Sequence, residues 1–339
     1  MRAMRSLACL LTVLLSASSS IAPQAPGAKA RRPAPAPQRV QLAPRFTPGT
    51  VLRYQTEFRT TTEGHRSGLV EDPQAPSKLE LTWGAVVRLE ALPAASSAAG
   101  GRMRLRTTYE KSAATARSDT FDPEGAAIEE QYRKLEGRTI EFTVDAQWNV
   151  SEVEGLPQVP AGEPAVSAAR EWLGQLTAGS SLPQGGIVPG QKWSSEQPAA
   201  SAPLAGLVWR TESTYVRDER CRPLESASTT GAGESLASET CAVILTRFEV
   251  TRPRALRDST PENYRRRGLR TSGKWDGSGE SLTYVSLRTG WVVSITQSAT
   301  EEMDVTVSTA DGESGMRYAG RVRSQSQISL LPETPPAPR

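Results

Sequence analysis

Short runs rich in β-branched, aromatic and apolar residues recur along this chain between polar, Gly- and Pro-rich links, and where hydrophobic and polar positions alternate with a period of two they mark a strand with one buried face. Residues 103–109, Met-Arg-Leu-Arg-Thr-Thr-Tyr, show it most cleanly. Residues 51–61 and 79–92 carry the β-branched and aromatic content of two more strands. Residues 139–145 and 148–153 predict a tight hairpin, with its link at Asp145-Ala146-Gln147. A central pair follows at 207–217 and 241–250, with Cys221 after the first strand and Cys241 opening the second. Residues 281–287 and 291–296 flank a turn at Arg288-Thr289-Gly290 and predict another hairpin. Residues 303–309 and 316–330 supply closing strands. Between these runs, residues 64–77, 93–101 and the glycine-rich 273–279 read as loops, and Glu301-Glu302 as a turn.

The helical period surfaces twice. Asp122 caps a helix that has Pro123 at its first position, a stripe of Ile128, Tyr132 and Leu135, and Gly137 as its stop. Residues 164–178 place Ala165, Ala168, Ala169, Trp172, Leu173 and Leu176 on one face and end at Gly179. The fold class is therefore mainly β with a few helices (α+β). A β-rich half at 46–160, the amphipathic helix at 161–180 and a second β-rich half at 181–330 are expected. The halves echo one another: Pro48-Gly49 precedes 51–61 as Pro189-Gly190 precedes Trp193 and 208–217, residues 84–89 resemble 241–245, and the hairpin at 140–153 resembles that at 282–295.

The ends have another composition. Arg2 and Arg5, the apolar run 7–15 and the small residues Ala17, Ser18, Ser20 and Ala22 form a secretory signal at 1–22. Residues 23–45 are a Pro/Ala-rich linker, and 331–339 a Pro-rich tail, both expected to be disordered. No stretch after the leader is apolar and long enough to span a bilayer as a helix. The chain is thus expected in the periplasm or outside the cell. Its formal charge is +3, but losing Arg2 and Arg5 leaves 38 basic against 37 acidic residues, which is no argument for nucleic acid. Cys9 leaves with the leader, and the remaining pair, Cys221 and Cys241, favours a disulfide in an oxidising compartment. Closing a loop of this size contributes roughly 3 kcal/mol.

Candidate chemistry is sparse. His65 is the single histidine. It sits in a polar stretch, with no nucleophile elbow elsewhere to complete a triad. Two cysteines and one histidine hold no zinc site. Neither a phosphate loop nor a dinucleotide glycine pattern is present, so no cofactor is expected. The acids Glu129-Glu130 and Glu301-Glu302 read as solvated, and a non-catalytic protein is expected. The basic stretch 252–274 is densest at Arg265-Arg266-Arg267. It reads either as a locally balanced loop or as a contact for anionic headgroups and wall polymers.

Pro189-Gly190-Gln191-Lys192-Trp193, Tyr215 and the hairpin around Gly290 resemble a group of exported bacterial proteins that are similar in turn to the lipoprotein carriers of the envelope. The resemblance implies a strongly curved antiparallel sheet or half-barrel, helices on its concave side and an apolar cavity able to hold an acyl chain. The chain departs from those carriers in its length, its cysteine pair and its internal echo. On this reading Trp172, Leu173 and Leu176 line or plug the cavity, and Arg265, Arg266 and Arg267 meet a headgroup. The expected role is binding of a lipid-like or amphipathic ligand. The alternative is a structural protein that binds another envelope protein through the surface or edges of its sheet. Protein recovered from its native envelope should have an intact mass lacking about the first 22 residues, since the leader fits a cleaved signal. It should show no thiol reactive to a maleimide without prior reduction.

Overall fold

The computed structural model describes residues 39–42, 45–68, 78–93, 102–119, 123–144, 150–155, 183, 185–199, 202–222, 239–252, 258–312 and 314–331. They build one antiparallel sheet of eleven strands that does not close into a barrel. The first five are β1 (Val51–Gly68), β2 (Lys78–Ala91), β3 (Met103–Ser118), β4 (Thr139–Val144) and β5 (Val150–Glu154). The next six are β6 (Lys192–Pro198), β7 (Val208–Arg220), β8 (Thr240–Thr251), β9 (Leu269–Ser286), β10 (Val292–Thr309) and β11 (Gly315–Leu330). Helix α1 (Pro123–Arg133) lies between β3 and β4, and α2 (Glu262–Arg265) between β8 and β9.

The spatial order is β5-β4-β3-β2-β1-β11-β10-β9-β8-β7-β6. Each half is a meander, and the two are joined where the first strand pairs with the last, from Tyr54↔Leu330 to Gly68↔Met316. The halves therefore share one sheet rather than forming two lobes. Their order repeats: three strands, a helix, then further strands, with β11 extra in the second half. The echo is offset by one strand from the sequence alignment. Pro189-Gly190 turns directly into β6, as Pro48-Gly49 turns into β1, with Gly49 and Gly190 at φ 87° and 86°. β1 thus corresponds to β6, not β7. The hairpins β4–β5 and β9–β10 keep the correspondence expected of them.

Alternation gives the sheet two unlike faces. One carries Tyr54, Val87, Leu89, Tyr109, Phe142, Ile295 and Ile328, all buried in one cluster. The seam thus sits over the core rather than beside it. Helix α1 packs on this face through Tyr132, whose ring lies 5.6 Å from that of Trp83. Trp83 Nε1 donates to Ser112 Oγ at 2.9 Å, and Ser112 Oγ donates to the Tyr132 carbonyl at 2.7 Å. That chain satisfies the buried indole of Trp83 and the hydroxyl of Ser112 where helix meets sheet. In the second half Tyr215, Ala242, Ile244 and Val285 continue the face under Leu42 and Ile187. Packing therefore starts before Phe46, with Val40 bridging Ile187.

The disulfide joins Cys221, just after β7, to Cys241 in β8, as the cysteine count predicts. Several loops expected from composition are strand instead. His65 lies within β1, opposite Ala319. Residues 273–279 lie inside β9, and Glu301-Glu302 inside β10 rather than in a turn. The physical reason is that partner strands fix the backbone and large rings fill the space over the missing side chains. The Phe248 ring lies on Gly279, and Trp209 lies against Gly277. The leader, most of the linker, the helix at 164–178 and the tail after 331 lie outside the described residues.

A methyl group on Gly279 would collide with the Ser298 carbonyl and the Phe248 ring. Gly279→Ala should therefore lose about 1–3 kcal/mol in urea unfolding, the usual range for overpacking. At the seam, fully buried Ile328→Ala should lose about 2–5 kcal/mol through its cavity. Exposed Gln325→Ala on the same strand should stay within about 0.5 kcal/mol.

Candidate functional site

The residues singled out from sequence do not converge on one site. Trp172, Leu173 and Leu176 lie outside the described residues. Arg265 ends α2, and Arg266 and Arg267 lead into Gly268; all three are exposed. Arg265 pairs with Glu262 at 3.1 Å and with Asp258 at 3.9 Å, and Arg266 approaches Glu262 at 3.7 Å. Part of the basic cluster is thus neutralised within its own turn.

A cavity of about 730 Å³ opens elsewhere, on the charged face of the sheet across β7 to β10. Arg210 and Glu212 come from β7, Arg247 and Glu249 from β8, Ser278 and Glu280 from β9, and Ser298 and Thr300 from β10. Phe248, Gly279 and Ala299, at the alternate positions between them, border the trough with their backbone, the Phe248 and Ala299 side chains facing the other side. Register explains the charge pattern. Glu212 faces Arg247, which faces Glu280, and Arg210 faces Glu249, which faces Ser278. Each row alternates in sign across the strands, the cross-strand arrangement that avoids like-charge repulsion. Lys192 on β6 adds an ion pair to Glu212 at 3.2 Å. This lining is not the apolar cavity that the lipoprotein-carrier resemblance implies. The strands here place their apolar residues on the opposite face, so a hollow on this one is walled by charges and hydroxyls.

Elsewhere on the same face several charges pair with each other. Arg317 clamps Asp304 with two bonds of 2.7 Å, Arg321 holds Glu302, and Arg53 binds Glu110. Arg106 holds Glu141, with Arg104 beside it, and keeps that carboxyl below the usual carboxylate range. By contrast, Arg210, Arg247, Glu249 and Glu280 make no ion pair with another described residue. Sequence reasoning missed them because alternating charges on a strand look like any solvated face. Only the register places charges from three strands in one hollow.

The opposite face holds a second irregularity. Glu301 points to the apolar side, facing Gly277 on β9 and Val322 on β11. Trp275 Nε1 donates to its Oε2 at 3.2 Å. Burial holds this carboxyl above the usual carboxylate range, and the indole hydrogen bond offsets part of that. A carboxyl with a folded pKa above its unfolded one costs stability when ionised. The penalty is present above the folded pKa and is relieved as pH falls through it. Glu301→Gln should therefore raise the thermal midpoint at about pH 7.5 and leave it nearly unchanged at about pH 3, where the carboxyl is protonated in both states. Parallel melts of the two proteins across that range check the sign.

No protein-family model matches the chain, and no curated protein matches it. Among solved structures it is similar to one titled "Lipid-protein interactions in lipovitellin", at 12% identity and a TM-score of 0.40. That match covers 86% of this chain and 26% of the other, so the chain spans about a quarter of that protein's length. It is also similar to the outer membrane protein OprG of Pseudomonas aeruginosa, at 7% identity over 86% and 99% of the two chains, with a TM-score of 0.14. The outer membrane channel DcaP of Acinetobacter baumannii follows at 6% identity over 83% and 96%, also at 0.14. These neighbours are rich in β-structure, as this chain is, but scores this low carry no argument about function, and the resemblance to lipoprotein carriers has no family match behind it.

Proposed function

We propose that this is a non-catalytic exported envelope protein that binds an amphipathic ligand by its polar part, in the trough across β7 to β10. The observation that carries the reading is the sign-alternating lining of that trough, in which Arg210, Arg247, Glu249 and Glu280 make no ion pair with another described residue. Its volume of about 730 Å³ is in the range of small-molecule sites. Arg210 and Arg247 offer forked donors to phosphate, carboxylate or sulfate groups. Glu249 and Glu280 accept from ammonium or hydroxyl groups, and Ser278, Ser298 and Thr300 do either. A zwitterionic headgroup matches such a surface better than a bare acyl chain does. The trough contains neither histidine nor cysteine, and no hydroxyl on its wall has a base hydrogen-bonded to it among the described residues. That favours binding over acyl transfer.

A second reading rests on the edges of the sheet. Among the described strands β5 and β6 each pair with only one neighbour. A partner protein adding a strand to β6 fits that geometry, although Pro198 at its end interrupts the donor row.

Mass spectrometry of an organic extract of the purified protein tests the first reading. An amphipathic molecule is expected to co-purify with the wild type and to be lost from an Arg210→Ala/Arg247→Ala variant of unchanged melting temperature. An empty wild-type extract, together with no binding to micelles of a zwitterionic detergent, sinks it. In-cell crosslinking from Lys192 to a distinct protein favours the edge instead.

A further inference from the structure

Across β8 to β11 the charged strand residues lie on one face, with Glu301 as the exception. Its neighbours are aromatic and apolar. A side chain at Gly277 would meet Glu301 Cγ at 3.1 Å, Val250 Cγ2 at 3.1 Å and Trp209 Cη2 at 3.4 Å. Trp209 and Glu301 therefore converge on one point above a glycine that has nothing to put there. Trp275 comes from the same strand as that glycine and fixes the carboxylate through Oε2. Phe248 extends the aromatic wall, with its ring 5.8 Å from that of Trp209, edge to face. The two tryptophans and the phenylalanine are each only partly buried, so their rings retain exposed surface. Oε1 of Glu301 has no partner among the described residues, and neither does the carboxylate's charge.

We propose that Trp209, Phe248, Trp275 and Glu301 form a receptor for an organic ammonium group. Ring faces attract a cation, tryptophan most strongly, and a desolvated carboxylate adds a full charge at the same spot. The chemistry selects the cation. Calcium and magnesium require six or more oxygen ligands, and this site offers one carboxylate. A primary ammonium needs three acceptors, whereas a quaternary one needs none beyond a counter-charge. Alkylated ammonium, as in choline compounds, is therefore the favoured class. The receptor is on the face opposite the charged trough and does not depend on it.

Nitrogen-15 spectra of the indole N–H groups provide the readout, with the Trp275 resonance assigned by its loss in Trp275→Phe. Titration with choline chloride should move that resonance saturably, while sodium chloride at equal ionic strength should not. Affinity should weaken roughly tenfold in Trp209→Leu and again in Glu301→Gln, in proportion to one cation–π contact or one counter-charge. Arg247→Ala in the trough should leave it unchanged, which separates this site from the ligand trough. Co-sedimentation with phosphatidylcholine vesicles, measured in the Arg210→Ala/Arg247→Ala background so that the trough does not contribute and abolished there by Glu301→Gln, assigns the lipid headgroup as the source of the cation. Choline binding without vesicle binding assigns a free solute. Absence of a saturable choline shift, or a shift of equal affinity in Glu301→Gln, overturns the proposal.

Discussion

The pairing of β1 with β11 is the contact on which the rest of the sheet depends. Each meander alone would end in a long strand whose backbone donors and acceptors face water, an invitation to wrong partners. Joining the first strand to the last converts both exposed edges into the centre of one sheet. The seam also lies over the core: Tyr54 faces Leu330 across it, its hydroxyl donates to the Val292 carbonyl at 3.0 Å, and Ile328 is wholly buried. Burial raises the Tyr54 pKa, so the phenol stays a donor throughout the physiological range. Such a pairing spans nearly the whole folded chain, and its loop-closure entropy must be met before its contacts form. The Cys221–Cys241 bond acts on the other flank, where it holds the ends of β7 and β8 in register.

From that seam the two faces follow. Strict alternation across paired strands sends apolar residues to one side and ionic ladders to the other. On β1, β10 and β11 the ladders close on themselves, through Arg317 with Asp304 and Arg321 with Glu302. Exposed pairs of this kind contribute little to stability. On β7 to β9 the same alternation places Arg210, Arg247, Glu249 and Glu280, which make no ion pair with another described residue, around a hollow. What marks the candidate site is that these charges surround one hollow.

Glu301 breaks the pattern in the other direction. A carboxylate on the apolar face, beside Trp275 and Trp209, works against stability, and local rules broken without a structural gain mark sites where function is the explanation. The glycines at 277 and 279 belong to the same departure. Read in isolation they signal a loop. Within β9 they make room for the rings of Trp209 and Phe248.

Alternation, helix caps and cysteine arithmetic determined much from sequence alone. They gave the antiparallel β class, the helix after Asp122, the central and terminal hairpins, and the Cys221–Cys241 bond. These are local signals, or follow from counting, and survive in any arrangement of the strands. The tertiary structure alone decided that the two halves share a sheet, that β1 matches β6, and that residues 273–279 and Glu301 lie in strands. It also decided that Arg210, Glu212, Arg247, Glu249 and Glu280 meet in one trough. Each of these rests on register between strands far apart in the chain, and a one-residue slip would send every side chain to the other face. That information resides in the pairing, which no single segment encodes.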